Sequence, residues 1–79
     1  MNDELVREVG SVRLVARSLT LSGQPDGESD YIVSAGEIHG HLHSPPIRVT
    51  KPAGAKAALD IAANDPWVLD HKGSASFRP

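Results

Sequence analysis

Glu37-Ile38-His39-Gly40-His41-Leu42-His43 is the stretch whose residue types and spacing could do chemistry. In a strand, alternate side chains point to opposite faces, so Glu37, His39, His41 and His43 would share one face, and Ile38, Gly40 and Leu42 the other. Two imidazoles at i and i+2 on a strand stand near enough to grip one zinc or nickel ion, and Glu37 could add an oxygen. Three alternating histidines span too far for all to bind one ion. A remote residue, His71 or Asp70, must complete the shell, so the candidate metal ligands are His39, His41, His43 and His71. The competing expectation is that His39, His41 and His43 face solvent and serve, with Trp67 and Phe77, as protein-binding residues.

Other chemistries find less support. Ser34 or Ser44 could be paired on paper with a histidine base and Asp70, but the sequence has no Gly-x-Ser-x-Gly elbow and no cysteine. The acidic residues gather near the start and at Asp26, Glu28 and Asp30, where solvated loop charge explains them. Residues 23–27 lack the Gly-Lys-Ser/Thr ending of a phosphate loop. The chain is therefore expected to have no catalytic residues and not to be an enzyme. Its net charge of −2 argues against indiscriminate polyanion binding. A small basic spot of Arg13, Arg17 and Lys51 leaves a weak nucleic-acid-binding accessory role as a third reading, after protein binding and metal binding.

The elements that must position these residues follow from pattern and punctuation. Residues 1–9 read as a short helix or a frayed end. Gly10-Ser11 interrupts, and residues 12–21 alternate as strand, with Val12, Leu14 and Ala16 followed after a slip at Ser18 by Leu19 and Leu21. A helical spacing of Leu5, Val9, Val12, Ala16 and Leu19 competes with this reading. Gly23-Gln24-Pro25-Asp26-Gly27 is a turn, with Pro25 suited to its first central position and Gly27 to a positive φ. Tyr31-Ile32-Val33 resumes strand and leads, through a turn or a bend at Gly36, into the histidine strand, which Pro45-Pro46 must end. Ile47-Arg48-Val49 is an edge strand. Residues 52–64 form the one convincing helix, with Thr50 as cap and an Ala55, Ala58 and Ala62 stripe flanked by Leu59 and Ile61. Pro66 stops it, and Trp67-Val68-Leu69 adds a last strand.

The fold class expected is α+β: an antiparallel sheet of three to five strands covered by the helix at 52–64, in the order β-β-β-β-α-β. A length of 79 residues suits one small domain, with residues 1–9 and 74–79 peripheral. Its core must be mainly aliphatic, since Tyr31, Trp67 and Phe77 are its only aromatic residues. The acidic start shows no signal-peptide pattern, and no run is long enough to span a membrane. No cysteine is present to reinforce so small a core, which favours a cytoplasmic location and a homodimer or a protein partner. The leading functional expectation is a non-enzymatic protein-binding module, a small regulator or inhibitor, with the histidine strand as the alternative metal site.

Overall fold

The computed structural model describes residues 4–19, 25 and 27–73. Strands β1 (Glu4–Val9), β2 (Val12–Ser18), β3 (Tyr31–Glu37) and β4 (Ile47–Val49) precede helices α1 (Ala55–Ala62) and α2 (Pro66–His71). Each strand pairs antiparallel with its neighbour in sequence, giving a four-stranded sheet in the order β1-β2-β3-β4. The expected α+β class is present. The last element differs from expectation, being a second helix.

Period-two alternation builds the core side of the sheet. Val12, Leu14 and Ala16 of β2 and Tyr31, Val33 and Ala35 of β3 are buried together with Val49, and all of them meet Ala58, Leu59, Ala62 and Val68 of the helices. The alanine stripe lies on the sheet as its spacing predicts, with Ala55 partly buried beside Ala58 and Ala62. Small side chains let the helix approach closely, while Leu59 supplies most of the volume. Ile61 turns away to solvent, contrary to its expected flanking role. The helix is also shorter than 52–64: Gly54 is its N-cap, no side chain caps it, and Pro52 is buried ahead of it.

Four local expectations are corrected, two by strand pairing and two by nearby hydrogen bonds. Residues 4–9 form an edge strand because Glu4 and Glu8 stand opposite Arg17 and Arg13, and Leu5, Val6 and Val9 opposite Ala16, Val15 and Val12. No bulge interrupts β2, whose register runs unbroken to Ser18 opposite Tyr31, so Leu19 falls on the other face of the sheet from Leu14. Residues 67–69 are helical because Asp65 accepts the Trp67 N–H at 3.1 Å and Pro66 occupies the first turn, where a proline starts a helix as readily as it stops one. Pro25 does not take a central turn position; its carbonyl accepts from Glu28 N–H, with Gly27 at φ 89° one residue earlier. Leu21, the rest of that turn and Phe77 lie outside the described residues.

The histidine stretch is not a strand. β3 runs straight through Gly36 and ends at Glu37, and residues 38–40 turn. The Glu37 N–H donates to the Leu42 carbonyl, Gly36 bridges His43, and the Ser44 N–H donates to the Ala35 carbonyl. The chain thus doubles back beside β3 and brings His39 and His41 to an exposed tip. Farther along, Val33 pairs with Ile47, so Pro45 and Pro46 together stand opposite Ser34. Neither proline has a ladder donor to lose, which makes this the natural place for an extra residue.

The hairpin turn between β1 and β2 ties the ends of the fold together. Gly10 takes φ 58° at the first central position of a two-residue turn, as a type II′ hairpin requires. The Ser11 N–H donates to the Lys72 carbonyl at 2.7 Å, its hydroxyl donates toward the carbonyls of His71 and Lys72, and its own carbonyl accepts the Ile38 N–H. Ser11 thereby satisfies carbonyls that the end of α2 leaves without helical partners. A Cβ on Gly10 would collide with the Lys72 carbonyl oxygen, whereas one on Gly27 would meet nothing within 4 Å. Gly27→Ala is expected to cost about 1–2 kcal/mol for its left-handed backbone alone. Gly10→Ala adds the collision and is expected to cost about 3 kcal/mol or more, as measured by urea unfolding. Equal losses would show that the contact with Lys72 contributes nothing.

A second junction holds β4 to the start of α1. Asp30 accepts the Arg48 guanidinium at 2.8 Å and the Lys51 N–H at 3.0 Å, holding Lys51 at φ 45°. The Arg48 hydrogen bond holds the Asp30 carboxyl below its ordinary value, and Arg7 does the same for Asp60 across β1 and α1. A carboxylate with a depressed folded pKa contributes stability above the unfolded value of about 4 and loses it as pH falls through the lower folded value. Asp30→Asn should therefore be less stable than wild type at pH 7, with the difference closing below about pH 4. Urea titrations across that range that stay parallel for the two proteins would refute the assignment.

Candidate interaction face

Residues directly opposite in an antiparallel sheet share a face, so the register fixes what the side away from the helices presents. Three rows cross it. Glu4, Arg17, Ile32 and Arg48 form the first, Val6, Val15 and Ser34 the second, and Glu8, Arg13 and Gly36 the third. Leu19, which donates its N–H to the Asp30 carbonyl, extends the face beyond the first row.

The centre of this face is apolar and open. Val6 is 54% exposed and Leu19 48%, while Val15 and Ile32 are half-buried by their strand neighbours. Val15, Arg17, Leu19, Ile32 and Ser34 line a shallow depression of about 240 Å³. Of the other exposed large apolar side chains, Leu5 is on the helix side of β1, and Leu42, Ile61 and Leu69 sit on separate elements.

Charge frames the apolar centre in stripes that follow the strands. Glu4 pairs with Arg17 at 2.7 Å, Glu8 with Arg13 at 3.2 Å and Asp30 with Arg48 at 2.8 Å. Across the sheet the stripes run acidic on β1, basic on β2, acidic at the start of β3 and basic on β4. The side chains of Arg13, Arg17 and Arg48 remain more than half exposed despite their partners. Pairs in that setting are each worth roughly 0.2–1 kcal/mol, little enough for an incoming surface to share or replace them. The suspected basic spot resolves into Arg13 and Arg17, separated along β2 by Val15 and each matched by a carboxylate, and Lys51, which lies past β4 in the approach to α1.

The residues singled out for chemistry are dispersed. His39 and His41 stand on the exposed turn, so the alternation that would have aimed them at one ion is absent. His43 lays its ring over Gly36, its Nδ1 2.6 Å from where a Cβ would stand. His71 is on α2, stacked on Trp67 with ring centroids 3.9 Å apart, and its Nδ1–H donates to the Trp67 carbonyl at 2.7 Å. Among the described residues no three His, Cys, Asp or Glu side chains come together to hold a metal ion. Trp67 is partly buried against the core. Ser34 lies on the open face, the Ser44 hydroxyl donates to the Pro45 carbonyl, and Asp70 is exposed on α2.

Val6, Val15 and Ile32 escaped the sequence reading, although a signal for them exists. On β2 and β3 the core positions are already filled by Val12, Leu14, Ala16, Tyr31, Val33 and Ala35, so Val15 and Ile32 are apolar residues on the parity that should be polar. No described helix is long and apolar enough to cross a membrane. The chain matches no protein-family model, no curated protein and no solved structure, so its functional reading rests on the geometry of this face.

Proposed function

We propose that the chain is a non-enzymatic protein-binding module, a small regulator or inhibitor, that engages its partner through the open face of the sheet. The observation carrying this reading is the apolar centre of Val6, Val15, Leu19 and Ile32 on the side that no described helix covers. Apolar side chains bounded by exposed charge are the usual make-up of a recognition surface, with the centre supplying affinity and the rim orientation. The same rim weakens the nucleic-acid reading, because a phosphate approaching Arg13 or Arg17 meets Glu8 or Glu4 as well. A cytoplasmic location belongs with this proposal, since small exported domains ordinarily reinforce their cores with disulfides and this chain has no cysteine.

Affinity capture with the wild-type chain and with Val15→Glu tests it. A stoichiometric protein partner held by the wild type and lost by at least about tenfold in the variant is expected, because a charge would be buried at the centre of the contact. Circular dichroism must show the variant folded. Capture indifferent to the substitution, or reproducible turnover abolished by replacing a single residue, would overturn the proposal.

A further inference from the structure

The charge stripes on the open face are complementary to themselves in one orientation only, and from this we infer that its occupant is a second copy of the chain. The inference rests on the reading of this face as a protein-binding surface. Two such sheets can be laid face to face about a two-fold axis in the plane between them in two simple ways. With the axis across the strands, β1 covers β1 and β2 covers β2, so Glu4 and Glu8 meet glutamates and Arg13 and Arg17 meet arginines. With the axis along the strands, β1 covers β4 and β2 covers β3 of the other copy.

The second arrangement sets unlike stripes together. Glu4 and Arg48 occupy the same row at opposite edges of the sheet, so each Glu4 faces Arg48 of the second copy, and the contact occurs twice. Glu8 and His43 lie at opposite edges of the third row and meet likewise. Between these rims, Arg17 lays its aliphatic stem over Ile32 of the other copy, and Val15 approaches Ser34, closing the depression they line. Strands of the two sheets stay nearly aligned, the ordinary geometry for stacked sheets.

Size sets the strength. Strands about 4.8 Å apart and seven residues long at about 3.3 Å each give a face of roughly 15 by 23 Å. Two such faces remove roughly 700 Å² from water, below the size of a stable specific interface, so association is weak and transient, at tens of micromolar or weaker. Opposed rim charges then decide the orientation rather than supplying most of the affinity.

Sedimentation equilibrium of the full chain tests the arrangement. Wild type should dimerise at roughly tens of micromolar, and Val15→Glu should not. Arg48→Glu and Glu4→Arg should each weaken the dimer by about tenfold, because each variant alone sets like charges together twice. Mixed in equal amounts, the two should recover the wild-type strength to within about threefold, since one chain's original charges then face the other's original charges and the two introduced charges face each other. Circular dichroism confirms that these exposed sites leave the fold intact. A wild type monomeric to about 0.5 mM, or a dimer that ignores the substitutions or is not rescued by mixing, overturns the inference. If the monomer nevertheless captures a partner that Val15→Glu loses, the protein-binding reading survives with a different occupant; if capture also ignores Val15→Glu, both fall.

Discussion

Carbonyl groups at the end of a helix must find donors, and here that need joins residue 72 to residue 11. The last turn of α2 offers the carbonyls of His71 and Lys72, and Ser11 supplies both its backbone N–H and its hydroxyl. The contact is possible because Gly10 has no Cβ where the Lys72 oxygen lies. The same serine's carbonyl receives the Ile38 N–H, so one two-residue turn fixes the end of α2, the hairpin and the exit from β3. With those three fixed, Val68 is held over the core formed by Val12 and Leu14, and α1 has little choice but to lie between.

Covering one side of the sheet in this way is what leaves the other side bare. Six helical residues follow α1 after residues 63–65 and place Val68 and Trp67 on the same core, so no element remains among the described residues to cover Val15 and Ile32. The ladder of cross-strand ion pairs keeps that side wetted while it is free, yet none of the pairs is buried deeply enough to be expensive to disturb. A face that is stable in water, with ion pairs that cost little to rearrange, suits reversible contact.

The sheet was legible in the sequence wherever a strand carries its own alternation. β2 and β3 have β-branched residues and a buried period of two, and the alanine helix has its stripe, so class, centre and cover could be read from neighbours alone. Part of what failed was decided at a distance and part by local hydrogen bonds. Leu5, Val6 and Val9 have no period of their own and become strand only because β2 offers an edge with matching charges. Trp67-Val68-Leu69 carries strand-forming residues, but Asp65 and Pro66 start a helix whose end Ser11 then holds. The histidines show the opposite error, a perfect alternation without a strand, because Gly36 to Ser44 closes on itself by backbone hydrogen bonds that take no account of side-chain type. The open face went unread for a related reason: an apolar residue of the wrong parity looks like noise until its register with the next strand is known.

Joining Ser11 to Lys72 also has a consequence in time. The strands pair only with their neighbours in sequence, and such local contacts form quickly because little chain entropy is lost in closing each loop. The bond from Ser11 to Lys72 spans nearly the whole described chain and can form only after the hairpin, the meander and both helices have taken shape. On a ribosome, Lys72 emerges after every other described element, so the hairpin turn waits with its donors in water until α2 has been made. The clasp that completes the fold is the last to close, and at equilibrium it is the natural first place to open, releasing α2 while the sheet persists.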